Sequence, residues 1–133
     1  YFKRLMLTSN GVDLKMEFVY ENYPRLGDFQ REQGLLVDSK ENVATNKITA
    51  VQGRKAEKDF FDLFYLLKDF DLKKLNENAA KKVVPLNYEG MLLALQGDTN
   101  EGDVVTAQSV DFDEYKTFVE QLKKDLLEYA RHS

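Results

Sequence analysis

The chain has 133 residues, 43% apolar and 12% aromatic, which is enough to pack one domain around its own core without staples. It has no cysteine, so disulfides and thiolate metal sites are excluded. Its net charge of −4 argues against whole-surface attraction to nucleic acid, so no DNA partner is expected and any RNA or nucleotide contact needs a local basic patch. His132 is the only histidine and sits next to the chain end, which removes histidine metal sites and a serine–histidine triad. No apolar run approaches the ~20 residues needed to cross a bilayer, and no signal peptide is visible, so a cytoplasmic protein without a membrane partner is expected. The opening at Tyr1 rather than methionine points to a cut or missing beginning.

In chain order, Phe2 to Thr8 and Val12 to Tyr20 flank Asn10-Gly11, the dipeptide favoured by tight type I′ turns, and predict a β-hairpin. In the second run Val12, Leu14, Met16, Phe18 and Tyr20 point one way. Asp13, Lys15, Glu17 and Val19 point the other. A lone hairpin is marginal in water, so the apolar face is expected to pack on something. The stretch from Glu21 to Gly34 reads as a polar loop with Pro24 and Gly27, and Leu35-Leu36-Val37 as a short third strand.

From Ser39 the pattern becomes helical. Ser39 is a good N-cap for a helix to about Gln52, stopped by Gly53. A second helix covers about Glu57 to Lys68, with Phe60, Leu63, Phe64 and Leu67 on one face. Asp71 caps a third helix reaching about Lys82 and ended by Pro85. A fourth lies within Leu86 to Gln96 and stops at Gly97, and Asp98 to Ser109 reads as an exposed loop. Asp111 with Glu114 forms a capping box for a last helix striped by Tyr115, Phe118, Val119, Leu122, Leu126 and Tyr129. The expectation is a single α+β domain over 1–133, with strands in 1–37 and helices in 38–133.

Three polar clusters could carry chemistry. Glu17, mid-strand beside Asp13 and Lys15, could bind a hard cation or accept a proton, or it could be part of a solvated face. Lys47 and Arg54 are two helical turns apart and could grip a phosphate chain, or be surface charges. Asp59 and Asp62 share a face of a strongly apolar helix, where two carboxylates need partners; they could serve a site, or only the helix dipole and salt bridges of the first turn. The sequence-local cations for them are Arg54, Lys55 and Lys58. No glycine-rich phosphate loop, dinucleotide fingerprint or zinc-protease helix is present.

The order of these clusters resembles AbiEii/AbiGii-type nucleotidyltransferase toxins. Asp13-Leu14-Lys15-Met16-Glu17-Phe18 resembles the strand carrying that family's later carboxylate. The run from Glu41 to Arg54 resembles its helix with Lys and Arg seven apart, and Lys58-Asp59-Phe60-Phe61-Asp62-Leu63 its basic-Asp-x-x-Asp motif. The resemblance implies the second half of a polymerase-β-like nucleotidyltransferase domain from a toxin–antitoxin or phage-defence system. Such an enzyme moves a nucleotide from NTP to an RNA or protein acceptor with Mg²⁺, and would have an antitoxin partner. By motif position, Glu17 is then the metal-binding and catalytic strand carboxylate. Lys47 and Arg54 contact phosphates. Asp59 and Asp62 orient the basic helix or act in the site. The family's first motif, a Gly-Ser turn followed by an Asp-x-Asp pair, is missing. Asp111-Phe112-Asp113 lies at the wrong end and reads as a cap. The chain alone is therefore expected to be inactive. The alternatives are a degenerate non-catalytic protein-binding module and a structural helical domain. The transferase reading requires the clusters to converge on one concavity.

Overall fold

The computed structural model describes residues 1–52, 57–96 and 109–132. Two β-hairpins precede five helices, the α+β arrangement that the sequence predicts. Strands β1 (Phe2–Ser9) and β2 (Val12–Val19) pair antiparallel, with Ser9 opposite Val12 and Phe2 opposite Val19. Asn10 and Gly11 both take positive φ, 51° and 76°, as a type I′ turn demands. The register puts Leu5, Leu7, Val12, Leu14, Met16 and Phe18 on one face. Every residue of both strands is exposed. What the apolar face was expected to pack on is thus not found among the described residues.

The polar stretch after it is not only a loop. Strands β3 (Gln30–Glu32) and β4 (Leu35–Val37) form a second antiparallel hairpin about Gln33-Gly34, at φ 48° and 82°. That turn geometry, and not apolar alternation, makes Gln30-Arg31-Glu32 a strand. The connection to the helices is tied down by polar contacts. Arg25 pairs with Asp38, Asn42 Oδ1 accepts from the Leu26 amide at 3.1 Å, and Asn42 Nδ2 donates to Asp38 at 2.7 Å. Gly27 (φ 69°) lies so close that a Cβ there would sit 2.9 Å from the Ser39 side chain.

Helix α1 (Lys40–Val51) starts where predicted, the Ser39 side chain accepting from the Asn42 amide. Helix α2 (Glu57–Leu66) follows, two residues shorter than the expected end at about Lys68. Helix α3 (Leu72–Lys81) is capped by Asp71. It ends before Pro85 has any say, because Val83 turns left-handed at φ 60° and the Val84 amide bonds back to the Ala79 carbonyl. Helix α4 (Tyr88–Ala94) is capped by Asn87, and α5 (Phe112–His132) by Asp111, whose Oδ1 accepts from the amides of Asp113 and Glu114. The Glu114 side chain pairs with Lys68 on the far side of the α2–α5 contact, rather than closing the predicted box. The predicted stops Gly53 and Gly97, and nearly all of the predicted 98–109 loop, lie outside the described residues.

The core is helical. Helix α1 lies against α2 and α3, and α5 against α2 and α4. Ile48, Leu63, Leu75, Met91 and Leu126 are fully buried there. Phe61 stacks on Tyr115 at 4.1 Å between ring centroids, and Phe64 meets Tyr115 and Phe118 edge-on. No described helix is long and apolar enough to cross a membrane.

Candidate functional site

The candidate site is built by α1 and the start of α2. Asp59 and Asp62 lie one turn apart on α2, so both face α1. Lys47 reaches across from α1 and places Nζ 2.9 Å from Asp59 Oδ1 and 2.7 Å from Asp62 Oδ2. The three residues differ in exposure. The Asp59 side chain is 0% exposed, Lys47 26% and Asp62 52%. Three of the motif residues thus meet in one cluster, which local sequence spacing alone does not require.

The electrostatics hold Lys47 charged. Burial works against its ammonium, but hydrogen bonds from it to Asp62 and Asp59, with their charges, outweigh burial and raise its pKa above the usual lysine value. An ammonium has three N–H donors, and the two carboxylates take two of them. Lys47 is therefore a fixed, partly exposed cation with capacity for a further anionic oxygen. Arg54, its predicted companion, lies outside the described residues, as does Lys55.

Glu17 belongs to a different set of contacts. The hairpin register puts it opposite Arg4. Arg4 Nη2 stands 2.6 Å from Glu17 Oε1, and Lys15 Nζ 3.4 Å from the same oxygen. The hydrogen bond from Arg4 is the main cause holding its carboxyl below the ordinary glutamate range. Its register and partners were legible from the two-residue loop at 10–11, which alone fixes which residues face each other. Asp13 is similarly engaged by Thr8 Oγ1 at 2.6 Å.

These partners bear on the metal expected at Glu17. A divalent cation there would have to displace two cationic side chains from one oxygen. Among the described residues, no group of three or more Asp, Glu or His side chains could hold a metal. The described residues alone thus do not form a Mg²⁺ site, and among them Glu17 is an ion-pair partner of Arg4 and Lys15 on a solvated strand face. Of the motif residues expected to converge, Arg54 lies outside the described residues. Lys47, Asp59 and Asp62 share contacts, whereas the described contacts of Glu17 stay within its hairpin. A cleft of about 540 Å³ lies elsewhere, where Asp71 and Leu72 at the start of α3 face Asp125, Glu128 and Tyr129 of α5. Lys73 and His132 also line it, and no motif residue does.

Spacing did not reveal a second buried cation. Lys82 caps α3 and is 2% exposed. Its ammonium donates to Asn46 Oδ1 and lies 3.7 Å from Glu21 Oε2, and Asn46 Nδ2 donates to Glu21 at 3.0 Å. Glu21 directly follows the first hairpin, so this node links the hairpin exit to α1 and α3. Nearby, Asn78 Nδ2 donates to Glu41 at 2.8 Å and Lys74 pairs with it at 3.3 Å, which lowers the Glu41 pKa. A lysine at a helix end gives no local hint of burial, because the burial is made by α1.

No protein-family model, curated protein or solved structure matches this chain.

Proposed function

We infer that the chain is part of a nucleotidyltransferase-like unit of the AbiEii/AbiGii toxin type, with a polymerase-β-like origin, and that its contribution is the cation at Lys47. The observation that carries this reading is the cluster itself. Lys47, Asp59 and Asp62 come from two separate motifs and meet within 2.9 Å. In this reading Lys47 holds a phosphate oxygen of the NTP. Asp59, fully buried, aims and charges the ammonium, so it is a positioning residue. Asp62, half exposed, shares the ammonium with the incoming phosphate. Ligands for Mg²⁺ and the acceptor site come from outside the described residues, and without the family's Gly-Ser turn and Asp-x-Asp pair the chain alone is expected to perform no transfer.

Fluorescent NTP analogues titrated onto the 133-residue chain test this. The expected result is saturable binding that Lys47→Gln weakens at least about tenfold, near 1.4 kcal/mol, with both proteins equally folded. Radiolabelled NTP with this chain alone is expected to give no transfer to RNA or protein. Binding that ignores Lys47→Gln, or no binding at millimolar nucleotide, rejects the reading.

A second reading, a non-catalytic protein-binding module, is favoured by one feature: the uncovered apolar face of the first hairpin. It predicts a stable protein complex and no nucleotide binding.

A further inference from the structure

The first hairpin is the least satisfied part of the molecule. Leu5, Leu7, Val12, Leu14, Met16 and Phe18 share one face, and each is at least 36% exposed. The pairing extends to the open end, where the Tyr20 amide donates to the Tyr1 carbonyl at 3.0 Å. That rung adds two tyrosines, 88% and 69% exposed, to the same face. Lys3 is the face's only charged residue. The six aliphatic and phenyl side chains present on the order of 500 Å² of apolar surface, in the upper part of the range of the largest patch on a soluble monomer, where such patches are often functional. A free two-stranded hairpin does not hold together in water on its own.

We propose that this face is a dimer interface, and that its occupant is the same face of a second copy of this chain, the two hairpins stacking as a small β-sandwich. Three observations select a second copy. First, two such faces bury about 1,000 Å² together, the threshold for a specific interface, and the tyrosines take it further. Second, the helical body offers no matching apolar patch among the described residues, and the exposed Leu35, Leu36 and Val37 of the second hairpin are three successive residues of one short strand that point alternately to its two faces. The body's exposed large apolar side chains, Val43, Val83, Leu93 and Leu127, are single residues on separate elements. Third, charge does not oppose the pairing. On the opposite face of the hairpin Arg4 and Lys15 balance Asp13 and Glu17, and the apolar face adds only Lys3 from each copy. Pairing one patch with itself is closed and two-fold, so it ends at a dimer. The sheets pack about 10 Å apart with strands roughly aligned.

This proposal goes beyond the nucleotide reading and is tested without nucleotide. Sedimentation equilibrium and light scattering on the full 133-residue chain, from about 1 to 200 µM, read its mass; that range brackets the micromolar affinities at the weak end for interfaces of this size. The expected result is twice the monomer mass of 15.4 kDa at the upper concentrations. Leu14→Glu, on the apolar face, is expected to give monomer across the range. Met6→Glu, on the opposite face, is expected to leave the dimer intact. Neither residue touches the helical core, so far-UV circular dichroism should show helices retained in both. Monomer at every concentration for the unaltered chain overturns the proposal. So does a dimer insensitive to Leu14→Glu, or open-ended oligomers through strand edges. None of these outcomes alters the nucleotide titration of Lys47→Gln.

Discussion

Replacing Lys47 by Met keeps the length and most of the volume of the side chain and deletes its charge. Asp59, fully buried, then loses its contact with the ammonium 2.9 Å away and keeps its other contacts, so the cost falls short of a complete loss of partner. Removing one partner from a wholly buried ion pair costs roughly 3–5 kcal/mol. Lys47 is a quarter exposed and Asp62 half exposed, so water screens part of this, and the expected cost is about 2–3 kcal/mol. For a domain of this size each kcal/mol lowers Tm by about 3–5 °C, so a fall of about 6–15 °C is expected. Asp59→Asn keeps the shape and loses the buried charge, at about 1–2 kcal/mol. Asp62→Asn acts at an exposed pair and should cost no more than about 0.5 kcal/mol. The double variant Lys47→Met with Asp59→Asn should cost less than the two single changes added, by about 0.5 kcal/mol or more, because both changes remove the same contact. Urea unfolding of the four proteins measures these terms. An unchanged Tm in Lys47→Met, or equal costs for Asp59→Asn and Asp62→Asn, refutes the view that burial of Asp59 sets the strength of the cluster.

Two further predictions follow from the backbone and from pH. Val83 holds φ 60° with its side chain 77% exposed, so Val83→Gly removes left-handed strain and loses no burial; after the greater freedom of glycine in the unfolded chain, a gain of about 0.5–1 kcal/mol is expected by thermal melting. The Lys47 pKa is raised in the folded state, so its contribution is full below the ordinary lysine pKa of 10.5 and is lost as pH climbs through the higher folded value. Asp38 and Glu41 are lowered. Burial pushes Asp38 up, but hydrogen bonds from Asn42, Arg25 and the Ser39 amide more than offset it, and the hydrogen bond from Asn78 leads for Glu41. Their stabilisation is present above the ordinary values of 3.8 and 4.5 and is lost as pH falls through the lower folded ones. Melting temperature against pH should therefore be flat near neutrality, fall below about pH 4 and fall again above about pH 11. Lys47→Met should abolish only the alkaline dependence that exceeds general lysine titration.

What the sequence disclosed depends on how far apart the deciding residues are. The Asn10-Gly11 turn, the Ser39, Asp71 and Asp111 caps and the Tyr115-to-Tyr129 stripe are local signals, and each produced its element. Gln30-Arg31-Glu32 has no apolar alternation, so its strand came from the left-handed Gln33-Gly34 pair, a signal that non-glycine residues rarely give. Pro85 was given the end of α3, but the helix had already closed on Val83, because the amides of Val83 and Val84 found carbonyl partners in its last turn. The site shows the same division. Asp59 and Asp62 looked anomalous because they interrupt an aromatic helix, and that anomaly pointed correctly to a buried carboxylate in need of a cation. Lys47, twelve residues upstream of Asp59 and on another helix, is a cation that tertiary packing supplies. Glu17 stood out on residue type and family order, yet its fate was fixed by hairpin register, which sets Arg4 directly across from it. A carboxylate on a strand can be judged as a metal ligand only after its cross-strand neighbour has been counted, and here that neighbour is an arginine.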